Sequence, residues 1–218
     1  MARKERKQKA GTSLIYLFLL IFFYLCSTGS SAGQTSVGVF LVKLQQRMPM
    51  KAIQPNRITD NFIEIIGKEW MLVGAGDREK MNMMTASWGG VGFLWTRPVV
   101  FVFIRPERYT RRFVEAKGAF TLTFLGEEHK KAHAICGSKS GRDIDKVAAT
   151  GLTPFFTEAG NPGFEEARLM LECKTLYVSE MEKSHFLDPA LYERWYNASQ
   201  GEPHYIYVAE ITGAWEGR

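Results

Sequence analysis

The sequence predicts a mainly β protein with added helices, a closed or partly closed β-barrel carrying its helices on the outside. Three observations lead there. Short β-branched and aromatic runs recur along the chain, above all Val99-Val100-Phe101-Val102-Phe103-Ile104. Strands and helices do not alternate regularly, and no G-x-G-x-x-G opens a helix, so a doubly wound dinucleotide fold is not expected. Most of the candidate strands follow one another through turn signals, as in an antiparallel barrel.

After residue 50 the elements read in order. Ile58, Phe62, Ile65 and Ile66 have helical spacing, with Gly67 placed to stop the helix. Trp70–Val73 and Met83–Trp88 read as strands joined through the Gly76-Asp77 turn signal. Gly89-Gly90-Val91-Gly92 breaks the pattern, and Pro98 then leads into the strand ending at Ile104. Arg108–Ala116 suits a helix ended by Gly118, and Ala119–Leu125 another strand. Glu127–Cys136 and Arg142–Thr150 read as two helices separated by Gly137-Ser138-Lys139-Ser140-Gly141. Gly160–Gly163 is a turn, Ala167–Met181 contains a long strand, Pro189–Tyr196 is a short helix and Tyr205–Trp215 a closing strand.

With 218 residues, 45% of them hydrophobic and 23% charged, the chain suits one ordinary domain plus an extension, or two small domains. The net charge of +5 invites a nucleic-acid reading, but its distribution removes it. Residues 1–49 hold seven basic side chains and one acid, while the remainder holds 21 basic and 22 acidic ones. Nucleic acid is therefore not an expected partner of the core domain. Cys26, Cys136 and Cys173 show no metal-ligand spacing and no disulfide pattern; Cys136 and Cys173 read as buried free thiols.

The first 49 residues admit several readings. A basic Arg3–Lys9, an apolar run Leu14–Cys26 of 13 residues and the small residues Ser27–Gly33 describe a secretory signal peptide. The run is short for a membrane span, and no stable span is expected in the core domain. Equally, the segment reads as an upstream extension of a cytoplasmic protein that starts at Met48 or Met50. The expectation is a leader over 1–49 and a cytoplasmic working domain over 50–218, with export as the alternative.

Three polar segments interrupt the apolar pattern. In Asn82-Met83-Met84-Thr85-Ala86-Ser87-Trp88, Thr85 and Ser87 share one side of a strand. That side suits either the edge of a flat polar ring or solvent. Arg105-Pro106-Glu107-Arg108-Tyr109-Thr110 sets arginines beside a helix start, which is an anion site or a surface charge cluster. Gly137-Ser138-Lys139-Ser140-Gly141-Arg142-Asp143 suits phosphate, although it lacks P-loop spacing, or a flexible turn. His129 and His133, four apart, read as a solvated helix face in preference to a metal site, and no nucleophile–base constellation emerges.

These segments in this order resemble the flavin reductase-like, FMN-binding split β-barrel family, including its flavoredoxin-type members. The resemblance spans roughly Ile53 to Ile211. It rests on Asn82–Gly90, Arg97–Pro106, Arg108-Tyr109-Thr110, Phe120–Phe124 and Cys136–Lys146. It implies a homodimer that binds FMN. Thr85 and Ser87, with nearby backbone, are then expected to face the isoalloxazine, Asn82, Met84, Ala86 and Trp88 to belong to the same cofactor site, and Arg105, Arg108 and Thr110 to approach the phosphate. Ser138, Lys139, Ser140 and Gly141 complete the cofactor site, and no protein residue is expected to be catalytic. It further implies an oxidoreductase that takes reducing equivalents from NADH or NADPH and passes them through FMN to a small-molecule or protein acceptor. A non-enzymatic FMN electron carrier is the alternative. Flavin carries the electrons itself, which accounts for the missing catalytic constellation.

Overall fold

The computed structural model describes residues 50–217. The expectations for the leader lie outside the described residues. Among the described residues, no helix is long and apolar enough to cross a membrane.

The strands are β1 (Lys51–Ile53), β2 (Met71–Gly76), β3 (Met81–Ala86), β4 (Gly89–Leu94), β5 (Arg97–Ile104), β6 (Ala119–Phe124), β7 (Pro154–Phe156), β8 (Pro162–Phe164), β9 (Leu169–Glu180) and β10 (Tyr205–Glu216). Between them lie α1 (Phe62–Glu64, continuing as a π-turn over Ile65–Glu69), α2 (Thr110–Lys117), α3 (Lys130–Ser138), α4 (Lys146–Thr150) and α5 (Pro189–Trp195). The main sheet runs β3-β2-β6-β9-β10-β5-β4, with β1 added to β10, and every pairing in it is antiparallel. β7 and β8 form a separate hairpin.

The order of that sheet requires it to curl. β3 and β4 are its two ends, yet only Ser87 and Trp88 separate them in the chain. Laid flat, seven strands would hold those edges roughly 29 Å apart, whereas the three peptide steps from Ala86 to Gly89 reach about 11 Å. The sheet therefore closes on itself, with an unbonded seam at Ser87-Trp88. One side chain in two points inward, as the strand period demands. Val73 and Ala75, Val100, Val102 and Ile104, Phe120, Leu122 and Phe124, Leu169 and Leu171, and Tyr207, Ala209 and Ile211 make one buried cluster. The outer face of β2 and β3, with Leu72 and Met83, packs instead against Ala132 and Cys136 of α3.

The sequence-based outline needs three corrections. Gly89–Gly92 belongs to strand β4. Its glycines permit a close approach, since a Cβ at Gly89 would stand 2.6 Å from the Phe101 carbonyl oxygen. The β4–β5 turn then uses Trp95 and Thr96, both at positive φ (51° and 59°), as a two-residue hairpin of the observed twist requires. The helix of 142–150 is only α4, because the Asp145 carboxylate accepts from the Ala148 N–H at 3.1 Å and starts it there. Gly67 does not stop α1, which runs to Glu69 and ends at Trp70 with φ 69°. Arg168 holds that ending: Nε and Nη2 donate to Glu69 at 2.8 and 2.7 Å, and Nη1 donates to Asp60 at 2.7 Å. Gly118, by contrast, ends α2 as expected, in the left-handed conformation with its N–H on the Val114 carbonyl.

Candidate functional site: the cleft at the barrel seam

The seam opens into a cleft of about 600 Å³, counted to its solvent-exposed mouth. Its walls come from three parts of the chain. The end of β3 and the seam supply Met84, Thr85, Ala86, Ser87 and Trp88; the end of β5 and the following turn supply Phe103, Arg105 and Arg108; the stretch after α5 supplies Trp195, Gln200 and His204. Seven of the thirteen residues expected at a cofactor thus meet in one place.

A second cleft runs along the first half of β3, lined by Asn82, Met83, Gly141 and Lys146 among others. It receives two more of the expected residues. Gly141 lies flat against Asn82: a Cβ there would come within 2.1 Å of the Asn82 Oδ1. Thr110 lines neither cleft. It is 1% exposed and its hydroxyl accepts from Asn82 Nδ2 at 2.9 Å, so it fixes the Asn82 amide. Ser138 donates to the Ala134 carbonyl, and Ser140 accepts from the Arg142 N–H; with the exposed Lys139 they lie outside both linings. Thr85, within the main cleft, spends its hydroxyl hydrogen on the His133 carbonyl at 2.6 Å, so it presents only acceptor capacity.

The electrostatics of the main cleft are those of two cations among neutral aromatic walls. Arg105 donates to the carbonyls of Glu202 (2.9 Å) and Trp195 (3.2 Å), and thereby ties down both ends of the stretch after α5. Arg108 donates to the carbonyls of Gly137 and Cys136, each at 3.0 Å, at the C-terminal turn of α3. That turn is where a cation is favoured by the helix dipole. Neither arginine is ion-paired to a carboxylate among the described residues. Each guanidinium has five N–H donors, so both keep donors for a ligand. Trp88 meets Trp195 edge to face with centroids 5.1 Å apart, and His204 at 5.0 Å. Burial, aided by the charges of Arg105 and Arg108, presses His204 down to about 4, so its ring is neutral at pH 7. Its Nδ1 shares a hydrogen bond with the Tyr196 hydroxyl at 3.1 Å.

Sequence reasoning missed the Trp195–His204 wall, which lies about a hundred residues from the other two, and it missed Lys146. It also placed His133 on a solvated face, whereas that ring is fully buried against Trp70 with both nitrogens unpartnered among the described residues, and burial presses it down to about 4. Cys136 and Cys173 are free and buried; burial pushes the Cys136 thiol up to about 11, which leaves it protonated and unreactive.

A concave, aromatic cleft with two carboxylate-free cations suits a flat, anionic ligand. The flavoredoxin of Desulfovibrio vulgaris (Miyazaki F) is 26% identical, over 66% of this chain and 67% of its own, with a TM-score of 0.51. An FMN-binding protein from Thermus thermophilus, solved with bound p-hydroxybenzaldehyde, is 25% identical over 67% and 70%, with a TM-score of 0.52. The FMN-binding domain of a flavin reductases-like enzyme from Shewanella baltica shares the fold at 20% identity, over 77% and 76%, with a TM-score of 0.56. No curated protein matches the chain. The sequence profile of the flavin reductase like domain matches residues 65–218, and the chain belongs to that family.

Proposed function

We propose that the chain binds FMN in the seam cleft and works as an oxidoreductase, taking electrons from NADH or NADPH and delivering them to a small-molecule or protein acceptor. The observation that carries this reading is the meeting of neutral aromatic walls with two arginines, carboxylate-free among the described residues, in the cleft at the barrel seam. Arg105 and Arg108 would hold the phosphate. The Met84–Trp88 edge would face the ring, with Thr85 positioned as an acceptor, and Asn82 with Gly141 would extend the site along β3. Bound flavin supplies the electron-transfer chemistry. The protein's own residues bind, orient and exclude water.

A non-enzymatic electron carrier is the second reading, favoured by the likeness to two flavoredoxins. Purified protein is expected to be yellow, or to become so with added FMN. Rapid anaerobic bleaching by NADH or NADPH supports the enzyme, and colour without bleaching supports the carrier. A colourless protein that takes up no FMN defeats both readings.

The working domain starts near Met50 and acts in the cytoplasm, where the nicotinamide reductant is available. Two chains pair as a homodimer through the β4–β5 hairpin, where Phe93 and Trp95 are 73% and 53% exposed on an edge of the sheet. Phe93→Glu is expected to shift the protein to monomer in size-exclusion chromatography with light scattering.

A further inference from the structure

Lys146 opens α4, a place where a lysine would ordinarily reach into water. Its residue is instead 6% exposed. Its Nζ donates to the Met83 carbonyl at 2.8 Å and to the Cys136 carbonyl at 3.1 Å. The Cys136 carbonyl is also the one that accepts from Arg108 at 3.0 Å. One backbone oxygen thus stands between two cations, one lining each cleft. No carboxylate is ion-paired to either among the described residues.

Such an arrangement is costly for folding alone. A buried cation without an anion gives up hydration that two carbonyl dipoles only partly replace. Met or Leu would fill the same space at less cost. The same pair gains value if a ligand brings the missing negative charge. Met83, which Lys146 holds, is next to Met84 and two residues from Thr85 on the strand that walls the main cleft. Burial presses the Lys146 ammonium down to about 8, so it stays mostly protonated at pH 7.

We propose that Lys146 is a positioning residue of the flavin site, which, with Arg108, forms a carboxylate-free cation pair behind β3 that favours the reduced, more negatively charged state of the bound flavin. This inference rests on the FMN reading above. Reduction adds two electrons and one proton to the ring at neutral pH and so leaves one more negative charge on it. A nearby fixed positive charge stabilises that state relative to the oxidised one. Lys146 needs no contact with the ring to do so, only its place behind the strand.

The test compares the full chain with Lys146→Met and Lys146→Arg, each checked for native circular dichroism. Dissociation constants are measured for oxidised FMN by fluorescence quenching and for dithionite-reduced FMN anaerobically, and the midpoint potential is measured against a redox dye. In Lys146→Met the preference for reduced over oxidised FMN is expected to fall roughly tenfold, which is about 30 mV more negative for a two-electron couple. Lys146→Arg keeps the charge and is expected to stay near the native potential. A folded Lys146→Met with the native preference overturns the inference and leaves a purely structural strut. If Lys146→Met does not fold, Arg108→Gln tests the other member of the pair: a fall in the same preference supports the inference, and an unchanged potential overturns it. An unaltered chain that takes up no FMN overturns the flavin reading and this inference with it, whereas FMN uptake with identical potentials overturns this inference alone.

Discussion

Arg168 and Arg108 are both partly withdrawn from water, and their charges are met in opposite ways. Arg168 lies between α1 and β9 with three hydrogen bonds to the carboxylates of Asp60 and Glu69. Among the described residues, Arg108 has only the carbonyls of Cys136 and Gly137, and Lys146 beside it only those of Met83 and Cys136. A neutralised cation ties elements together and leaves no net charge over for a ligand. A cation held by dipoles alone keeps its charge available. The contrast separates a part of the barrel that is finished in itself from a part that awaits a partner.

Removing each arginine should expose the contrast most sharply. Arg108→Ala is expected to weaken FMN binding about 100-fold, near 2.7 kcal/mol, with a smaller loss of stability; fluorescence titration and urea unfolding measure the two. Arg168→Ala should do the reverse. It strands two carboxylates that are 17–22% exposed, and the expected loss is about 2 kcal/mol in urea unfolding, discounted for that exposure, with FMN affinity unchanged.

Acid offers a milder test, because the neutral histidines belong to both regions: His204 at the cleft wall and His133 under Trp70. Each is pressed from 6.5 to about 4 in the folded chain. Between those values the unfolded chain binds more protons, so stability should fall as pH drops from 6.5 toward 4, by up to about 1.4 kcal/mol per pH unit for each ring. His133→Leu should remove roughly half of that slope. At pH 7 the same substitution should be nearly neutral, since the lost ring nitrogens are unpartnered. Lys146 works in the opposite range. Its folded value of about 8 lies below its ordinary 10.5, so the cost of burying its charge is fully present below pH 8 and fades as pH rises from 8 to 10.5.

The barrel strands were legible because their signals are local. The run Val99–Ile104 is β-branched and aromatic with one face buried, and Gly118 sits where a helix must end in a left-handed turn. β4 was hidden because its glycines carry no side-chain pattern; the reason for them is a close backbone approach by Phe101, a tertiary fact. The cleft was half legible. Its β3 and β5 residues cluster in short polar segments, whereas Trp195 and His204 reach it only through folding. Ser138 and Lys139 looked like phosphate ligands by composition, yet α3 runs on through Ser138 and its hydroxyl turns back to Ala134. Lys146 was invisible as a buried charge, since nothing in its neighbours along the chain announces that two carbonyls will enclose it.

The position of β10 has a consequence for how the molecule is made. Tyr205–Glu216 is the last strand in the chain, yet it lies between β9 and β5 and also receives β1. As synthesis proceeds from the N-terminus, the β3-β2-β6-β9 sheet and the β4–β5 hairpin can each form early, and each then waits with an open edge of unsatisfied backbone groups. A ribosome stalled before Tyr205 would release two separate sheets with exposed edges, a chain for chaperones and proteases to recognise, and not a slightly trimmed barrel.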